Sequence, residues 1–79
     1  VLEARGRVIL EVNVSAERLE DVIAILPAMR EPTVSSLHGQ GGFAVKSAVP
    51  RADLPRLIPA IRAAGGADIV VTKPAQIVA

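Results

Sequence analysis

Apolar and polar residues alternate strictly from Arg7 to Val14, with Val8, Leu10, Val12 and Val14 on one side and Arg7, Ile9, Glu11 and Asn13 on the other. A period of two marks a strand with one buried face. Ser15 then stands at an N-cap position, and Leu19, Val22, Ile23 and Leu26 recur at helical spacing until Pro27 stops the run, which predicts a first helix. Thr33 to Leu37 reads as a short strand after Pro32, His38 to Gly42 as a glycine-rich turn, and Phe43 to Val49 as a second alternating strand. Asp53 is placed to cap a second helix whose apolar stripe is Leu54, Leu57, Ile58 and Ile61, closed by Gly65 and Gly66. The β-branched run from Asp68 to Thr72 supplies a last strand.

Displaced by 35 residues, the first half lies on the second: Val8 falls on Phe43, Leu10 on Val45, Val14 on Val49, and Leu19, Val22, Ile23 and Leu26 on Leu54, Leu57, Ile58 and Ile61. Two copies of strand, helix, strand make βαββαβ, the ferredoxin-like α+β arrangement. Crossover handedness then places both helices on one face of a four-stranded antiparallel sheet in the order 4-1-3-2. The other face stays open and carries Ile9, Glu11, Asn13, Ala44, Lys46 and Ala48, with Glu11 placed to pair with Lys46 across the central strands. Pro59 falls inside the second helix, where it removes a backbone bond to Pro55, so a kinked or short helix is expected.

Composition narrows the function classes. The chain has 79 residues, no cysteine, one histidine and one aromatic residue, Phe43. That is one small domain with a thin aliphatic core, a size that often needs oligomerisation when disulfides and metals are missing. A net charge of +1 implies no polyanionic partner, so no nucleic acid is expected. The longest uninterrupted apolar run, Val22 to Leu26, is far below the roughly 20 residues that cross a bilayer, so no membrane partner is expected and a cytoplasmic location is the default. Because the chain opens on Val1 rather than Met, a piece of a longer polypeptide is expected, with residues 1–6 as a linker and 7–79 as the domain.

Catalytic chemistry is missing. His38 has no nucleophile or metal co-ligand at helical or hairpin spacing, and reads as an exposed loop histidine. The Gly39, Gln40, Gly41, Gly42 segment lacks the Lys-Ser/Thr ending of a phosphate cradle and joins two strands instead of opening a helix. The central strands lack the aromatic platforms of an RNA reader. Ser15 to Arg18 replaces the Cys-x-x-Cys loop of ferredoxin-like metal carriers. A small-molecule sensor and an assembly module both remain.

From about Arg5 onward the sequence resembles the C-terminal domain of long-form ATP phosphoribosyltransferase. The resemblance is carried, in order, by Leu10-Glu11-Val12-Asn13-Val14, by Leu26-Pro27 followed by Glu31-Pro32-Thr33-Val34-Ser35-Ser36-Leu37, by Phe43-Ala44-Val45-Lys46, and by Leu57-Ile58-Pro59-Ala60 leading into Gly65-Gly66-Ala67-Asp68-Ile69-Val70-Val71. It implies a domain without catalytic residues that binds L-histidine and regulates a hexameric glycosyltransferase, the first enzyme of histidine biosynthesis, by feedback inhibition. Its implied partners are L-histidine, further copies of itself and the catalytic domains of the same polypeptide. Mg2+ is implied for the parent enzyme, and no cofactor for this domain. By matching position, the effector contacts fall on Asn13, Met29, Glu31, Thr33 and Asp68, with Leu37 as an apolar neighbour. Glu31 stands where the family carries a small hydroxyl residue, Met29 where it carries Leu, and Phe43 where it carries Trp.

In the derived topology Asn13 ends the first strand and Asp68 begins the fourth, so these two meet, whereas Thr33 begins the second strand and is expected at the opposite end of the sheet. A site built between neighbouring chains follows. The competing expectation is a purely structural oligomerisation module, which Glu31 favours.

Overall fold

A computed structural model describes residues 6–27, 32–39 and 41–73. Strand β1 (Arg7–Ser15) runs into a 3-10 turn (Ala16–Arg18) and helix α1 (Leu19–Ile25), then β2 (Thr33–Ser36). Strand β3 (Gly42–Pro50) runs into a second 3-10 turn (Arg51–Asp53) and helix α2 (Leu54–Ala63), then β4 (Ala67–Thr72). The 35-residue displacement therefore holds element by element through both strands, both 3-10 turns and both helix starts.

The sheet order is β2-β3-β1-β4, the predicted 4-1-3-2 read from the other edge. All neighbours are antiparallel, with Val8 opposite Val49, Val12 opposite Val45, Glu11 opposite Lys46 and Asn13 opposite Ala44. The alternation read from the sequence decides the faces. Val8, Leu10, Val12, Val14, Val45 and Val49 turn toward the helices and are buried with Val22 of α1 and Leu57 and Ile61 of α2. The core is thus aliphatic throughout, with Phe43 only packed against its margin.

Ser15 stands at the N-cap of the first 3-10 turn in extended backbone, and Asp53 immediately precedes α2, both in the expected positions. Neither Ser15 nor Asp53 makes a side-chain cap bond. The 3-10 turn before α2 begins helical backbone three residues earlier than expected, leaving Asp53 at φ −85° and ψ −10°, a helical conformation instead of the extended one from which a cap side chain folds back. Asp53 lies instead 3.6 Å from Arg56 Nη2. Helix α2 is short, ten residues, and continues through Pro59. Pro55 and Pro59 are both exposed, so the carbonyl that Pro59 leaves without a donor lies on the solvent side.

The end of α2 is fixed by glycine. Gly65 has φ +105°, its N–H bonds the Arg62 carbonyl at 3.1 Å, and the Gly66 N–H bonds the Ile61 carbonyl at 2.8 Å. This pair of bonds is a Schellman closure, which needs a left-handed residue at the first position past the helix. No helix among the described residues is long and apolar enough to cross a membrane.

Candidate functional site

The sheet face away from the helices holds a shallow depression of about 480 Å³. Its floor is two parallel rows of side chains, because residues two apart on a strand share a face. In one row Thr33, Lys46, Glu11 and Val70 lie side by side across β2, β3, β1 and β4. In the other, Ser35, Ala44 and Asn13 lie side by side, with Asp68 at the end. The predicted Glu11–Lys46 pair is present, with Nζ 3.3 Å from Oε1.

Asn13 and Asp68 meet as expected: Asn13 Nδ2 donates to Asp68 Oδ2 at 3.3 Å. The route is less simple than strand end meeting strand start. Between Glu11 opposite Val70 and Asn13 opposite Ala67, β4 carries one residue more than β1. Asp68 takes up this bulge at φ +52°, the only positive φ outside glycine among the described residues. Bulges re-aim side chains, and Asp tolerates the left-handed region better than most residues.

Repeat symmetry explains why β4 departs from the pattern of β2. Under the 35-residue displacement Glu11 and Lys46 exchange, as do Thr33 and Asp68. Thr33 lies opposite Lys46, so a faithful copy would set Asp68 opposite Glu11. Two carboxylates facing each other repel. In the observed register Val70 takes that place, and the bulge carries Asp68 to Asn13.

The expectation for Thr33 is corrected. It does not lie at the opposite end of the sheet. Strand β2 has only four residues and pairs with the first half of β3, from Phe43 to Lys46, so its start lies at mid-height and Thr33 lines the same depression as Asn13 and Asp68. One chain brings those three together. Met29 and Glu31 lie outside the described residues. Leu37 is half-buried, and its N–H closes the turn to the Gly42 carbonyl at 2.8 Å. His38 is exposed in that turn. Sequence reasoning placed Glu11 and Lys46 on the open face but did not include them, Ser35 or Val70 in the site, although their parity with Asn13 and Thr33 along the strands was the signal available.

Among the described residues no group of three or more His, Asp or Glu side chains comes together. The arrangement suits a small polar ligand: hydroxyl and ammonium donors on the β2–β3 side, carboxylate and amide acceptors on the β1–β4 side.

The family described as HisG, C-terminal domain, matches residues 4–74. Among curated relatives, the ATP phosphoribosyltransferase of Pelotomaculum thermopropionicum is 44% identical over 69 residues, covering 87% of this chain and 24% of that protein. That of Pyrobaculum islandicum is 46% identical over 69 residues, with the same shares. That of Halobacterium salinarum is 37% identical over 78 residues, 99% of this chain and 28% of that protein. The chain spans about a quarter of the length of these relatives. With the match running through both halves of the repeat and the derived topology present, the chain belongs to the HisG C-terminal domain family.

Proposed function

We propose that this chain is the regulatory domain of an ATP phosphoribosyltransferase, the enzyme of the first step of L-histidine biosynthesis, and that it binds L-histidine for feedback inhibition. The observation that carries the reading is the convergence of Asn13, Thr33 and Asp68 on one depression of the uncovered sheet face. L-Histidine brings a ring N–H, from which the Asn13 amide oxygen and the Asp68 carboxylate can accept, and a carboxylate, to which the Thr33 hydroxyl can donate.

The site lies between copies of the chain in this proposal. A half-open depression leaves part of a small ligand in water, and a neighbour laid over the exposed Val70 that lines it would close it. Coupling to activity then has a physical route: a ligand whose affinity differs between two subunit packings shifts the assembly by that difference, typically about 1–3 kcal/mol. The catalytic domains, with their Mg2+, belong in this reading to the rest of a cytoplasmic hexameric enzyme.

Calorimetric titration of L-histidine into the chain, beside Asn13→Ala, tests the sensor. Saturable heat from the parent and binding weaker by about tenfold in the variant are expected. No heat from a sample shown by sedimentation to be oligomeric overturns the reading and leaves a structural module.

A further inference from the structure

We propose that the Glu11–Lys46 pair is the headgroup reader of the depression: the site takes a free α-amino acid as its zwitterion, its carboxylate on Lys46 and its ammonium on Glu11. The assignment rests on the sensor reading of this same site and says which part of the ligand each wall holds.

As a stabilising device the pair explains little. Its side chains are 55% and 42% exposed, and solvated pairs of this kind contribute about 0–1 kcal/mol. It opens at correspondingly low cost. Its location is less ordinary, because it stands on the twofold relation between the halves, where the duplication exchanges its two members. A duplicated site would carry like residues there. This one carries opposite charges 3.3 Å apart at the middle of the depression.

A zwitterion suits that pair in sign and in spacing, since both its charged groups are borne by one α-carbon. Laid against Lys46 and Glu11 in antiparallel sense, it leaves the four charges balanced, and the neighbouring Thr33 hydroxyl adds a donor for the carboxylate. The rest of the ligand then runs over Ala44 and toward Asn13 and Asp68, one row away, or about 7 Å at two residues of strand rise. That is the reach of one amino-acid side chain. Once the headgroup is balanced, the charge left over in the depression is that of Asp68. The side chain must therefore bring an N–H donor or a cation, such as an imidazole, an amide or an ammonium, and aspartate and glutamate are refused.

The test is calorimetry with the parent chain, Lys46→Met, Glu11→Gln and the reversed pair Glu11→Lys with Lys46→Glu, against L-histidine, histamine and a panel of the standard amino acids. All variants should keep the parent's thermal midpoint within a few degrees, as expected for an exposed pair. Lys46→Met and the reversed pair should each weaken L-histidine by about tenfold or more. Loss of the ligand carboxylate in histamine and loss of the Lys46 ammonium delete one contact, so their effects should not add. L-Histidine binding unchanged in Lys46→Met and in the reversed pair overturns the headgroup assignment while leaving the histidine reading intact. Binding of a different amino acid with the same Lys46 dependence supports the headgroup assignment and overturns the histidine reading. No heat with any amino acid overturns both.

Discussion

Arg18 and Ala63 are joined across the two halves of the repeat: the Arg18 guanidinium Nη2 donates to the Ala63 carbonyl at 3.4 Å, while its Nε donates to Asp21 at 3.2 Å. A cation at a helix C-terminus is favourable, and the Arg18 stem also lies over Gly65, where a Cβ would come within 3.1 Å of its Cγ. Arg18→Ala should therefore cost about 0.5–1 kcal/mol in urea denaturation, and Arg18→Met should recover the packing share. Asp21→Asn, which touches only an exposed i,i+3 pair, should stay within about 0.5 kcal/mol.

Gly66 is where sterics leave no choice. An added Cβ would lie 2.5 Å from Ile61 Cγ2, 2.7 Å from Val12 Cγ2 and 3.0 Å from the Ile61 carbonyl oxygen. Both side chains belong to the core, so they cannot swing into solvent. Gly66→Ala should destabilise by about 1–3 kcal/mol, a fall of about 4–8 °C in thermal midpoint for each kcal/mol.

Asp68 separates stability from binding. Its left-handed backbone costs about 1 kcal/mol or more for a residue with a Cβ, a cost that glycine does not bear. Asp68→Gly is expected to match or exceed the parent in thermal stability while weakening L-histidine by about tenfold, since the acceptor for Asn13 and for the ligand is gone. Asp68→Ala should lose both. Parallel melting curves and titrations on the two variants check this.

Leu57 tests the core. It is fully buried on α2, and truncating such a residue typically costs about 2–5 kcal/mol. A chain of this length has a stability of about 4–12 kcal/mol, so Leu57→Ala should remove about a sixth of it at the least, and all of it at the other end of these ranges, read as a lowered or missing cooperative transition.

The alternation in β1 and β3 made their faces, their pairing and the open-face residues legible, because a strand that buries one side has little freedom of register. The repeat then supplied the topology. What could not be read was how far each edge strand slides along its neighbour. Strand β2 has exposed residues at all four positions, so no buried row pins its length, and Thr33 was placed at the wrong height. The bulge at Asp68 is an extra residue relative to a partner distant in the chain, and nothing local to Gly65-Gly66-Ala67-Asp68 announces it. The residues that precede the helical segments, Ser15 and Asp53, were legible, but the 3-10 turns and the missing cap bonds were not, because a 3-10 turn and a capped α-helix carry similar residue types over three positions.

The exchange of Glu11 with Lys46 under the duplication has a consequence for handedness. A half-turn of the duplicated frame puts Lys46 where Glu11 stands and Glu11 where Lys46 stands, so its polarity reverses and a guest entering backwards meets repulsion at both ends. In the binding mode proposed above, with the two charged ends thus oriented and the third substituent directed at Asn13 and Asp68, a chiral carbon would be held at three points. A fold assembled from two equivalent halves would in this way tell one enantiomer from its mirror image, and D-histidine should bind far more weakly than the L form.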